Sequence, residues 1–411
     1  MSSQYLDIIL YIVAMGSILL IYLPFSPMTI DLVNFSRDTQ LKIYLNRRYL
    51  WAVGIACFAV LLARAVSGYA DNTWLWTGLI SIVVLAFMFW SGYVPYVMTP
   101  PEDPQVLDAA EADKLLQQDD YVLGVVHNGQ ARAYPRDSIA RPHFYSDKVG
   151  GQDLTISYCI LCNSGIGFKN ELKGQPLDLE CITAYNNNII YRDKNSNNFI
   201  QQLDGKVIHG PAAGTTLDSL PVIITTWREW KELHPETRLY YAPAKTLRDK
   251  MVAGMLEMLI PVQKLSRRSK PWHRIQGKLD KRLPAMSFVI GVEINGERCA
   301  YPIGELRRKK VINDTVGGEP IVVLYNSNRD VGAVYSRKTA DGELEFSTVD
   351  DSGSNGDIVA RDGSGSLWDV NGVAREGERK GQSLRAIPHF NNLFWFSWAL
   401  FKPDTRISMT A

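Results

Sequence analysis

Cysteine is scarce in this chain, five thiols in 411 residues, which is too few for a disulfide scaffold. Charge of one sign is absent too. With 44 basic against 43 acidic side chains, nothing drives counterion release, and nucleic acid is excluded as an electrostatic partner. No Walker loop, dinucleotide fingerprint, zincin HExxH or GxSxG elbow occurs. Residues 1–4 contain no Lys or Arg, so the basic start of a cleaved signal peptide is missing. Gly and Pro, at 31 and 20, are ordinary and exclude a collagenous or disordered chain. The length and the 46% apolar content exceed what one core usually fills, so two or more structural units are expected.

The apolar residues are concentrated at the front. Three stretches, Tyr5 to about Phe25, Leu50 to about Val66 and Trp74 to about Val94, carry only Asp7 and Arg64 as charges. Each approaches the ~20 residues that cross ~30 Å of hydrocarbon as a helix. Trp74, Trp76, Trp90, Tyr93 and Tyr96 flank the third, as interfacial rings do. Residues 1–98 are therefore predicted to be an anchor of three transmembrane helices in the cell (inner) membrane, with the lipid bilayer as partner. Arg37, Lys42, Arg47 and Arg48 lie between the first two spans, and the positive-inside rule places that loop, and with it residues 100–411, in the cytoplasm.

The triple-proline linker Met98-Thr-Pro-Pro-Glu-Asp-Pro104 ends the anchor. Beyond it the chain repeats itself. Gly124-Val-Val-His-Asn-Gly-Gln-Ala-Arg-Ala-Tyr-Pro135 recurs as Gly291-Val-Glu-Ile-Asn-Gly-Glu-Arg-Cys-Ala-Tyr-Pro302, at an offset of 291 − 124 = 167. Asp147, Val149-Gly-Gly151 and Tyr158 meet Asp314, Val316-Gly-Gly318 and Tyr325 at the same offset. The predicted fold class is α+β, mainly β: a tandemly duplicated domain, copy one over 105–241 and copy two over 288–408, around a spacer at 242–287. Asn128-Gly129 and Asn295-Gly296 signal hairpins, Leu154–Tyr158 and Ile321–Tyr325 signal strands, and one helix falls near the end of each copy. The spacer holds an apolar run, Met251 to Ile260, and a basic patch, Arg267 to Arg274.

Residues in both copies are those a fold needs, and residues confined to one copy are candidates for function. Copy one alone has Tyr158-Cys-Ile-Leu-Cys-Asn-Ser-Gly165; copy two has Asn326 for Cys159, Arg329 for Cys162 and Lys310 for His143. Two thiols three positions apart can close a small disulfide, share a soft metal, or pack as small buried residues. In the first case Cys159 is the expected attacking thiol, His143 its base, and Asn163 and Ser164 donors that favour the thiolate. In the second, Cys159, Cys162 and His143 would hold copper or zinc in an open site; a closed zinc site needs a fourth ligand. Residues 163–170 are too Gly-rich for the long helix of a thioredoxin.

These segments, together with His143 to Asp147, the stretch from Asp204 to Trp227 and the ending Phe394-Trp-Phe-Ser-Trp-Ala-Leu-Phe-Lys-Pro-Asp-Thr405, resemble the bacterial family catalogued as domain of unknown function 3179, over about 105–408. Members usually have Tyr-Cys-Pro-Leu-Cys-Gly where this chain reads Tyr158-Cys-Ile-Leu-Cys-Asn163, and His-Glu-Ile-Val-Asn-Asp where it reads His143-Phe-Tyr-Ser-Asp147. The resemblance adds Asn186, Tyr158 and Asp147 as secondary site candidates. Some relatives are named as possible selenoproteins, which implies thiol redox chemistry with no cofactor and an unknown redox partner. Many relatives look exported, which favours the extracytoplasmic face against the charge rule. The expectation is a membrane-anchored protein with a thiol redox site in copy one; the alternatives are a soft-metal protein with an unknown metal partner and a non-enzymatic membrane scaffold.

Overall fold

The computed structural model describes residues 3–100, 103–243, 246–259, 268–349 and 358–408; Arg267 of the basic patch and Ile260 of the apolar run lie outside them. Three helices are long and apolar enough to cross a membrane: α1 (Ser3–Tyr22, continued by a 3-10 turn to Phe25), α2 (Arg37–Val66) and α3 (Asn72–Gly92). Ile55, Ile80, Val83 and Phe87 stay exposed on them, a surface suited to lipid. The two charges embedded in the spans pair with each other, Arg64 Nε to Asp7 Oδ1 at 2.6 Å, as charges within a bilayer must. α2 begins at Arg37 rather than at the apolar run from Leu50. Ser36 caps it by accepting the Thr39 N–H, and Leu41, Ile43 and Tyr44 bury the added turns.

Those added turns join the membrane unit to the rest. The Tyr44 hydroxyl donates to Glu180 (2.7 Å), Thr183 donates to the Pro24 carbonyl (2.8 Å), and His273 from the spacer meets Asp31 (3.0 Å). The linker between α1 and α2 and the end of α3 therefore lie on one side, with the β-rich unit.

Within that unit one order of elements occurs over 121–241 and recurs over 288–407. The hairpin Tyr121–His127 and Gln130–Pro135 leads to the antiparallel strands Phe144–Val149, Gln152–Cys159 and Ser164–Lys169, and then to a four-stranded sheet over 179–209. Ile223–Thr226 rejoins the hairpin, helix Trp227–Leu233 follows, and Arg238–Tyr241 runs parallel to the hairpin's second strand. From 288 the order recurs: hairpin Phe288–Ile294 and Glu297–Pro302, strands Val311–Val316, Glu319–Asn326 and Val331–Ser336, a four-stranded sheet over 346–376, strand His389–Phe394, helix Trp395–Phe401 and the parallel Arg406–Ile407.

Small devices recur with it. Trp230 lies so close over Gly124 that a Cβ there would meet its ring at 2.2 Å, and Trp398 covers Gly291 at 2.4 Å. Each indole N–H finds a threonine, Thr237 at 2.8 Å and Thr405 at 2.9 Å. The main apolar core takes residues from both halves, Leu123, Tyr158, Cys159 and Cys162 with Leu393, Phe394 and Trp395.

Candidate functional site

Strand pairing sets Cys159 opposite Ser164, so Ile160 to Asn163 form a β-hairpin turn. Asn163 closes it at φ 54°, a left-handed conformation that Asn tolerates better than most residues. Tyr158 Oη donates to Asn163 Oδ1 (2.8 Å), and the Asn163 amide donates to the Asn392 carbonyl (2.6 Å). The Phe394 N–H donates to the Cys162 carbonyl (3.2 Å), so the second half grips the turn directly.

Both sulfurs are fully buried and both are free thiols. Their surroundings differ. Burial pushes the Cys159 thiol well up, its neighbour Cys162 pushes it further, and its S–H donates to the Asn187 carbonyl at 3.4 Å. Burial would raise Cys162 as well, but interactions with the Cys159 thiol, Ser164 and Asn188, together with the nearby Ser397 hydroxyl, outweigh it and bring that thiol down to about 7. The Asn188 amide donates to Cys162 Sγ at 3.3 Å. Ser164 Oγ stands 3.0 Å from Cys162 Sγ and 2.8 Å from Gln202 Oε1, so its one proton serves either. The Ser397 hydroxyl, from the second half, lies near this sulfur but makes no hydrogen bond of ordinary geometry among the described residues.

His143 is not joined to the thiols. Its Nδ1–H donates to the Tyr158 carbonyl (3.1 Å), and burial, partly opposed by that bond, pushes the imidazole down to about 4, so it is neutral. The ring lines a mainly apolar cavity of about 90 Å³ at the membrane junction, beside Phe25, Val94, Met98 and the turn residues Ile160 and Leu161. The His143 backbone stands at φ 68°, and Lys310 repeats this at 62° in the second half, each carbonyl accepting from the tyrosine N–H opposite. Among the described residues no group of three or more His, Cys, Asp or Glu could hold a metal ion, and the expected set Cys159, Cys162 and His143 does not assemble into one.

Asp147 lies apart from the thiols, bound to Tyr134 (2.9 Å) and Arg132 (3.2 Å); Asp314 repeats the tyrosine bond with Tyr301 (2.7 Å). Asn186 is also occupied elsewhere, exchanging bonds with the backbone of Gln276 (2.7 and 3.2 Å). Its two neighbours, Asn187 and Asn188, are the residues that reach the sulfurs. They, Gln202 and Ser397 were missed in the sequence, where the run Asn186-Asn-Asn188 and the pair Gln201-Gln202 were the available signals.

A thiol pair buried in a β-rich unit on a three-helix membrane anchor defines the class of this protein. Residues 93–405 match the family described as a protein of unknown function, DUF3179, and the chain belongs to that family. No curated protein and no solved structure matches.

Proposed function

We propose that this is a membrane-anchored thiol oxidoreductase in which Cys162, rather than Cys159, is the attacking sulfur. The observation that carries the reading is the asymmetry of the pair: donors converge on Cys162, while Cys159 keeps its proton. The Cys162 thiolate attacks one sulfur of a substrate disulfide, whose S–S bond breaks and whose other sulfur leaves as a thiolate. Cys159 then gives up its proton to that leaving group and attacks Cys162 in the mixed disulfide. A Cys159–Cys162 disulfide forms and the second substrate thiol is released, so two electrons pass to the substrate. Burial of both sulfurs requires the turn over 160–163 to open during exchange. His143 acts as a positioning residue, holding the Tyr158 carbonyl, instead of as the base.

The reading includes a duplicated domain, 105–241 and 288–408, in which the second copy has lost the thiols and kept the supporting wall; the recurrence of element order and of the Trp-over-Gly contacts supports it. It also includes the extracytoplasmic face, where a disulfide persists.

The test is intact-mass analysis of the full chain in detergent, with and without reductant. A loss of about two mass units, reversed by reductant and absent in Cys159→Ser, is expected. Two permanently free thiols that resist alkylation in the folded protein would refute redox turnover and favour the scaffold; a metal adduct lost in the double variant would favour metal binding.

A further inference from the structure

We propose that the spacer helix Leu247–Leu259 lies in the surface of the bilayer with one face among the lipids, a fourth membrane contact beside the three spans. The helix starts on a reciprocal cap: the Asp249 N–H donates to Thr246 Oγ1 (3.1 Å) and the Thr246 N–H to Asp249 Oδ2 (3.2 Å). Asp249 also holds Arg141 (2.8 Å), and Val252 is buried in the main core. That face is tied to the first half.

The opposite face is open. Leu247, Met251 and Met258 are 75%, 47% and 75% exposed. Met251 and Met258 follow Leu247 by 4 and 11 residues, which sets all three within about 40° around a helix of 3.6 residues per turn. Such an apolar stripe is unfavourable in water and is stabilised where hydrocarbon is at hand.

Arg248 brings it there. Its guanidinium donates to the carbonyls of Trp90 (3.3 Å) and Tyr96 (2.7 Å), at the end of the third span. Trp90 and Tyr96 are themselves partly exposed, and such rings mark the boundary between hydrocarbon and water. The helix is thus fastened at the depth of that boundary, and its stripe continues the lipid-facing surface on which Phe87 is exposed. Lys250, exposed beside the stripe, has the long stem that carries a charge out to the head groups. On its inner side Ala253 lines the junction cavity together with His143, Ile160 and Leu161. One helix therefore joins the bilayer surface to the cavity that the thiol turn lines.

The test uses the full chain in phosphatidylcholine nanodiscs, with single cysteines introduced by Met251→Cys and Met258→Cys and labelled with an environment-sensitive fluorophore. Lys380→Cys, at an exposed position of the second half, is the control in water. The unsubstituted chain, carried through the same labelling, is the blank for its own five thiols. Both methionines are exposed, so neither substitution removes core packing. The labels at 251 and 258 are expected to emit to the blue of the label at 380, to lose quenching by iodide, and to be quenched by lipids bearing a nitroxide near the head group. Emission and iodide quenching equal to those at 380 would overturn the proposal. Shielding from iodide without quenching by the lipid would also overturn it, in favour of a second copy of the chain or another protein on this face. None of these outcomes touches the mass test of the thiols.

Discussion

At the scale of single residues, neighbours decide what a side chain can do. Cys159 and Cys162 share one turn and equal burial, yet the Asn188 amide donates to the second, while the first donates to the Asn187 carbonyl. His143 shows the same rule with the opposite result, since burial without an anionic partner keeps it neutral. Its folded value, about 4, lies below the ordinary 6.5, so between those limits the unfolded chain binds the proton and the folded one does not. Stability therefore falls as pH drops from about 6.5, by roughly 3 kcal/mol for this one group once pH is below 4. His234 and His389, also depressed by burial, add to the slope in the same direction. In His143→Asn, which keeps a residue tolerant of positive φ, thermal unfolding in detergent should show a smaller acid-side loss. A variant that follows the wild-type curve would remove His143 as a contributor.

At the scale of elements, the hairpin and the short helix of each half are locked by a tryptophan lying on a glycine. Gly124→Ala forces a Cβ into the Trp230 ring, whose N–H is tied to Thr237, so the ring has little freedom to retreat. The expected cost is about 2–3 kcal/mol. Gly304→Ala, with nothing within 4 Å of its Cβ, serves as the control and should leave stability unchanged or slightly higher. Comparable unfolding midpoints for the two variants would contradict the packing account. The hairpins were legible from Asn128-Gly129 and Asn295-Gly296, because that dipeptide readily adopts the positive φ a tight turn demands. The full length of α2 was not. Its first turns mix charged and apolar residues and become a buried surface only against the β-rich unit, a partner remote in sequence.

At the scale of the whole molecule, the first turns of α2, which carry the basic residues, and the β-rich unit lie on the same side of the three spans. Tyr44 to Glu180, Thr183 to Pro24 and His273 to Asp31 fix this arrangement. A cysteine placed by Lys42→Cys and one placed by Lys114→Cys should therefore react with a membrane-impermeant thiol reagent from the same side, in vesicles of either orientation. Opposite accessibility of the two sites would break the three-span arrangement. Reaction in intact cells whose outer barrier has been permeabilised would place both on the extracytoplasmic face.

The sequence by itself determined the three spans, the β-rich character beyond them and the two cysteines as the feature that sets one half apart. Each of these rests on composition, local turn chemistry or self-comparison, which a linear chain displays without folding. Only the tertiary structure decided that the Asn188 amide and Ser164 meet Cys162, that His143 turns away from it, and that the second half supplies part of the wall of a large cavity lined by both halves. Those outcomes depend on which atoms meet across separations such as Asn163 with Asn392 and Cys162 with Asn188. Hydrogen bonds and desolvation act over a few ångströms, and no spacing along the chain encodes which distant groups will come that close.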